Sequence, residues 1–118
     1  MKWLTKKQIN AAAKKSLRAA WRMSIEHWIQ MCSVDEEEYD KASVHGRVSM
    51  SDVHCALCVR VKLGLGKCPF NKECDKDTLE CFPEFHATLW NFGNRHMVLK
   101  KLVVAYNKKY GTKLRSKV

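Results

Sequence analysis

Apolar residues recur at three- and four-residue steps along the first quarter of the chain, on one side of a projected helix. Thr5 and Gln8 have the spacing of a capping box, and Leu4 and Ile9 that of a hydrophobic staple. The pattern therefore predicts one long amphipathic helix over residues 5–32. The stripe comprises Ile9, Ala13, Leu17, Ala20, Trp21, Ser24, Trp28 and Met31.

The next segment, residues 33–51, loses this periodicity. Five of its first eight residues are acidic, and Gly46 and three serines follow. Carboxylates at adjacent positions without calcium-loop spacing do not form a cage for a hard metal ion. We therefore expect an acidic, solvated connector.

Further along, apolar and polar residues alternate from Val59 to Leu65, which is typical of a short, half-exposed strand. Pro83 suits the first turn of a helical segment over 83–111, interrupted near Gly93 and closed by Gly111. Residues 112–118 resemble a basic tail.

Five of the six cysteines lie between residues 55 and 81, and the first two form a Cys-x-x-Cys pair. This spacing lets two thiolates converge on one tetrahedral zinc ion. We predict a Zn²⁺ site with Cys55, Cys58 and Cys68 as ligands, and with either Cys81 or Cys74 as the fourth. Cys32 lies in the first helix and is expected to be a packed thiol.

Together these features predict one zinc-stabilised domain over residues 1–118. It would be mainly α-helical, with a zinc-ribbon or treble-clef-like insertion, a knuckle with a short hairpin, over residues 52–82. The first ten residues lack the apolar stretch of a secretory signal, and no window is apolar enough to cross a membrane. We therefore expect a cytoplasmic protein with reduced thiols.

The net charge of +10 is concentrated at the two ends of the chain. Residues 1–32 contain seven lysines and arginines and one acid, and residues 95–118 contain eight and none. Two basic segments around an acidic middle favour an anionic partner, nucleic acid above all. The predicted contacts are Lys7, Lys14, Lys15, Arg18, Arg22, Lys100, Lys101, Lys108 and Lys109.

The histidines and tryptophans allow two interpretations each. Helical spacing favours core packing for Trp21 and Trp28, whereas Trp3 and Trp90 could pack or stack on bases. His86, Asn91 and His96 follow the cysteines in an order faintly similar to that of metal-finger nucleases. The residue that normally opens such a site at a strand end is not evident, so we predict no catalytic residues.

Two sequence motifs resemble those of small, uncharacterised phage-encoded proteins. The first is Ser24-Ile25-Glu26-His27-Trp28, and the second is Cys55-Ala56-Leu57-Cys58 with a later Cys68-Pro69. Leu65 stands where that group has the first cysteine of its Cys-x-x-Cys-Pro turn, and Cys81 matches its last cysteine. The resemblance covers residues 24–85 and implies a phage or prophage origin more than a reaction.

The sequence thus predicts a small, basic zinc protein that binds nucleic acid without catalysis. The alternative is a phage accessory protein that binds and inhibits or redirects a host protein through a helix face. A divergent metal-finger nuclease is the third possibility.

Overall fold

A computed structural model of the 118-residue chain describes residues 2–49, 55–70 and 92–115. Within these ranges the protein is a compact, mainly helical structure, which confirms the predicted fold class at that level. The helices are α1 (Lys6–Lys15), α2 (Leu17–Cys32), α3 (Glu36–Val44), α4 (Ala56–Lys62) and α5 (Arg95–Tyr110), with a 3-10 helix at Phe92–Asn94.

The N-terminal capping box forms as predicted. The backbone N–H of Gln8 donates to Thr5 Oγ1 at 3.2 Å, and the backbone N–H of Thr5 donates to Gln8 Oε1 at 2.9 Å. Ile9 is completely buried, and Leu4 packs against the same core. The start of α1 is therefore determined by local sequence.

The single long helix predicted for residues 5–32 is wrong, because Ser16 divides it. Ser16 adopts an extended conformation and ends α1, and its Oγ accepts a hydrogen bond from the backbone N–H of Ala19 at 3.0 Å. A serine hydroxyl competes with the helical backbone and favours such an N-cap. The break separates α1 from α2, and both helices pack against α4.

The acidic segment is not merely a solvated connector, since it contains α3. The Asp35 side chain caps this helix by accepting from the backbone N–H of Glu38 at 2.8 Å. Acidic residues in the first turn are favourable next to the positive end of a helix dipole. Tyr39 and Ala42 are buried, so this helix contributes to the core.

The strand predicted over residues 59–65 is also wrong, because α4 occupies residues 56–62. Leu57, Val59 and Val61 are all buried, and α4 contacts both α1 and α2. Packing against two helices accounts for the apolar residues Val59 and Val61, whereas Leu63 and Leu65 lie beyond α4 and are exposed. Arg60 fixes one contact by donating to the carbonyl of Ala13 at 2.8 Å.

The core lies between α2 and α5. Trp28, Met31, Leu99 and Leu102 are buried there at 2% exposure or less. Helix α5 ends as predicted at Gly111, whose φ of 65° is a left-handed conformation that glycine adopts without strain.

Arg95 joins the start of α5 to the end of α2. It donates from Nε to the Met31 carbonyl at 2.9 Å and from Nη2 to the Val34 carbonyl at 3.2 Å. A guanidinium at these carbonyls also complements the negative end of α2.

The segment after α5 is more ordered than a tail. The Asn107 side chain donates to the Leu114 carbonyl at 2.8 Å and accepts from the Leu114 N–H at 2.9 Å. Residues 112–115 therefore fold back on α5, while residues 116–118 of the predicted tail lie outside the described residues, as does the helix predicted from residue 83 to 91. Of the helices described, none is long and apolar enough to span a bilayer.

Candidate thiol site and basic face

The Cys-x-x-Cys pair lies at the start of α4. Cys55 occupies the N-cap position and is partly exposed, whereas Cys58 is buried in the first turn. Their side chains are linked by a hydrogen bond, so the two sulfur atoms face each other. The helix, rather than a hairpin knuckle, determines this arrangement.

Ser24 of α2 completes the thiol site. Its hydroxyl oxygen accepts a hydrogen bond from the backbone N–H of Leu57 at 3.2 Å and lies 3.7 Å from Cys55 Sγ. Ser24 is completely buried, and the Cys55 side chain itself makes no capping hydrogen bond to α4. Ser24 thus caps α4 from another helix, and the two motifs that carry the phage resemblance contact each other here.

This environment lowers the pKa of Cys55 from 9.0 to about 7. The main cause is the hydrogen bond with the Cys58 side chain, and the Ser24 hydroxyl acts in the same direction, whereas burial opposes both. A thiol with a pKa near 7 is a thiolate in a large fraction of molecules at neutral pH. Thiolate is the form that binds metal ions.

The other cysteines do not complete a metal site within the described residues. Cys68 is buried beside Val61, with Phe70 packed against both. No three histidine, cysteine or acidic side chains of residues 2–49, 55–70 and 92–115 come together as a metal-binding group. Cys74 and Cys81 lie outside the described residues. Of the predicted ligands, Cys55, Cys58 and Cys68 are described; the first two are in contact, and Cys68 does not form a group of three with them. The full ligand set stays a prediction.

Cys32 is packed, as expected. It lies at the end of α2 with 9% exposure, and burial raises its pKa to about 11, an effect that the positive charge of Arg95 partly offsets. A thiol with this pKa stays protonated at neutral pH.

The tryptophans that the structure describes follow the packing interpretation, and so does His27. Trp21, His27 and Trp28 are buried, and Trp21 Nε1 donates to the Leu102 carbonyl at 3.2 Å. Trp3 is half-buried against the core, whereas His96 is exposed. His54, His86, Trp90 and Asn91 lie outside the described residues.

The two predicted basic segments meet where α2 packs on α5. Arg18 Nε donates to Tyr106 Oη at 2.9 Å, and the Arg18 guanidinium carbon lies 4.8 Å from the centre of the Tyr110 ring. Arg22 lies 5.8 Å from the Tyr106 ring, and Lys109 Nζ lies 5.8 Å from the Tyr110 ring. We call these five residues the cation–aromatic cluster.

Trp21 packs against the two tyrosines of the cluster. Its ring meets those of Tyr106 and Tyr110 edge-on, with centroids 6.1 and 6.0 Å apart. The sequence predicted the three cations as contacts but did not pair them with the tyrosines. The spacing is compatible with such a pairing, because Arg18 and Arg22, like Tyr106 and Tyr110, are four residues apart and share a helix face.

The remaining predicted contacts have different degrees of exposure. Lys101 is half-buried, and the others are exposed: Lys7, Lys14 and Lys15 on α1, and Lys100 and Lys108 on α5. Within the described ranges, one ion pair is seen, between Lys41 and Glu37, and both of its residues lie outside the two basic segments. We use the name basic face for the predicted contacts on α1, α2 and α5 together with the cation–aromatic cluster, of which only the cluster residues are seen in contact with one another.

Comparison with known proteins found no match. No family model, no curated protein and no solved structure matches this chain.

Proposed function

We propose that this protein binds nucleic acid through the basic face and carries out no reaction on it. The observation that carries the proposal is the cation–aromatic cluster, in which cations from the two ends of the chain share two tyrosine rings. The phosphates of a polynucleotide would bind the cations of this cluster, because each phosphate that Arg or Lys neutralises releases counterions.

The cluster favours binding in a second way, through pre-organisation. The Arg18 side chain is exposed, yet a hydrogen bond and a ring contact hold it in place. A flexible arginine loses side-chain entropy when it binds, whereas a side chain that is already ordered loses less. The guanidinium of Arg18 also retains donors that can reach a phosphate.

We further propose that Zn²⁺ stabilises the middle of the chain. Cys55 and Cys58 would supply two ligands, and Cys68, Cys74 and Cys81 are the candidates for the others. The lowered pKa of Cys55 and its contact with Cys58 support this assignment, since zinc binds thiolates.

Salt-dependent binding tests the nucleic-acid proposal. We expect the wild-type protein to bind a labelled oligonucleotide with an affinity that falls steeply as salt rises. The double variant Arg18→Gln and Arg22→Gln should bind more weakly, and its slope of log affinity against log salt should be shallower by up to about 1.8 on duplex DNA or 1.4 on single strands. The matched control is Lys41→Gln with Lys67→Gln, which removes the same charge elsewhere.

Two results would overturn the proposal. The first is a wild-type protein that binds neither DNA nor RNA at low salt, after which a host-protein partner becomes the better account. The second is a control pair that weakens binding as much as the arginine pair. Incubation with Mg²⁺, Mn²⁺ or Zn²⁺ should leave single- and double-stranded substrates intact, and reproducible cleavage would contradict the absence of catalysis.

Native mass spectrometry tests the zinc proposal. We expect one zinc ion per chain. A strong chelator should remove this ion, and the central segment should then unfold. Structural zinc supplies about 10–16 kcal/mol in zinc-finger peptides, so Cys55→Ser should unfold that segment. Cys32→Ser is the matched control and should keep the metal. A fully folded protein purified without metal would refute the assignment.

A further inference from the structure

A cavity of about 560 Å³ lies between the N-terminal segment and the turn that follows α3. Residues 2–6 form one wall, and Gly46 and Arg47 form the other. The volume falls within the range of about 300–1,000 Å³ that is common for small-molecule sites. No residue of this cavity belongs to the thiol site or the cation–aromatic cluster.

Gln30 fixes the first wall. Its side-chain amide donates to the Lys2 carbonyl at 2.8 Å, and its side-chain oxygen accepts from the Leu4 N–H at 3.1 Å. These two bonds hold the backbone on both sides of Trp3, whose half-buried ring packs against the core. The indole is therefore a positioned surface rather than a free side chain.

The end of α3 fixes the second wall. The Gly46 N–H donates to the Ser43 carbonyl at 2.9 Å, and the Arg47 N–H donates to the Ala42 carbonyl at 3.0 Å. Gly46 has a φ of 68°, so these bonds form a Schellman motif. The motif determines where the backbone of Arg47 meets the cavity.

The lining combines an apolar surface with positive charge. Trp3 and Leu4 are half-buried, whereas Lys2, Lys6 and Arg47 are exposed, and the lining contains no acidic residue. A smaller adjoining cavity of about 180 Å³ includes Glu38 beside Trp3 and Arg47. The larger cavity therefore suits a ligand with a flat apolar part and an anionic part.

We propose that this cavity binds a nucleoside monophosphate, with the base against Trp3 and the phosphate among Lys2, Lys6 and Arg47. A phosphate monoester carries about −1.5 to −2 charges at pH 7. It therefore matches a rim of three cations better than a ligand with one carboxylate group would. Every base offers a flat π face that stacks on an aromatic ring. This small-molecule site does not depend on polynucleotide binding by the basic face.

Calorimetric titration of the full chain with adenosine monophosphate tests the proposal. We expect saturable 1:1 binding that is at least about fivefold tighter than binding of adenosine or inorganic phosphate alone. Lys6→Gln and Arg47→Gln should each weaken binding of the monophosphate by about fivefold or more, since each removes a charge-assisted contact. Lys7→Gln is the matched control, because it removes the neighbouring charge on α1 outside the lining.

The outcomes separate the parts of the proposal. Equal affinity for adenosine and its monophosphate would overturn the role of the cations, and equal affinity for phosphate would overturn the role of Trp3. Lack of any binding, or the same affinity in Lys6→Gln, Arg47→Gln and Lys7→Gln, would overturn the site itself. The pair Arg18→Gln and Arg22→Gln should bind the monophosphate normally, so failure of the basic face and failure of this cavity can be told apart.

Discussion

Removing one hydroxyl group, in Ser24→Ala, should destabilise the whole domain, although Ser24 is not part of the helix it caps. The backbone N–H of Leu57 belongs to the first turn of α4 and has no partner within that helix. It donates instead to the Ser24 hydroxyl, 3.2 Å away on a side chain with no exposed surface. Alanine would leave this buried N–H without its acceptor.

The expected magnitude follows from two known effects. Loss of a serine cap reduces stability by about 0.5–2 kcal/mol, and an unsatisfied buried donor costs about 1–3 kcal/mol. Because both describe the same hydrogen bond, they are not added, and we expect about 1–3 kcal/mol in the free energy of unfolding. For 118 residues, with an unfolding entropy of about 2.1 cal/mol/K per residue, Tm should fall by about 4–12 °C.

Urea unfolding monitored by circular dichroism measures this change. The m value should be the same for both proteins if they expose the same surface on unfolding. Ser33→Ala is the matched control. Its hydroxyl donates to the Ile29 carbonyl at 2.6 Å, but Ser33 is exposed, so water can replace it and the loss should stay below about 0.5 kcal/mol. The pKa of Cys55 should also rise in Ser24→Ala, because the hydroxyl helps to lower it. Equal stability of Ser24→Ala and Ser33→Ala would refute the role of Ser24 as a cap.

Three further predictions concern other contacts. Burial raises the pKa of Cys32 to about 11, so its contribution to stability is complete below pH 9 and is lost as the pH rises from 9 to 11. The free energy of unfolding, measured at a series of pH values, should therefore decline less over that window in Cys32→Ala than in the wild type. Arg95→Met should lower stability by about 2–4 kcal/mol in denaturant titration, because several backbone carbonyls lose a charged donor, and a loss below about 1 kcal/mol would contradict this. Ser16→Ala should lower it by about 1 kcal/mol, and Ser16→Asp should retain the wild-type value because aspartate also caps; equal losses in both would argue against capping.

Local sequence determined the features that depend on neighbouring residues alone. The capping box of Thr5 and Gln8 and the end of α5 at Gly111 follow from hydrogen bonds and backbone freedom within a few positions. The mainly helical class follows from long amphipathic periods. The concentration of positive charge at both ends is also explicit in the sequence, and it led to the nucleic-acid hypothesis.

Local sequence misled where two signals competed. Ser16 interrupts an apolar stripe that continues on both sides, and its capping hydrogen bond outweighs the periodicity. Val59 and Val61 alternate with polar residues because α4 packs on both α1 and α2, whereas Leu63 and Leu65, which continue the pattern, lie beyond α4 and are exposed. Asp35 begins a helix that its acidic neighbours had suggested was a loop. In each case the choice depends on a single cap or on which surfaces a short segment meets.

Only the tertiary structure decided which distant residues share a site. Ser24 and Leu57 are 33 residues apart, and Arg18 and Tyr106 are 88 apart, yet each pair is joined by a hydrogen bond. Residue types identified the cysteines and the cations, but not the hydroxyl and the tyrosine that position them. The physical reason is that a capping or stacking partner supplied by another helix depends on how the helices pack, and no local spacing in the chain encodes that arrangement.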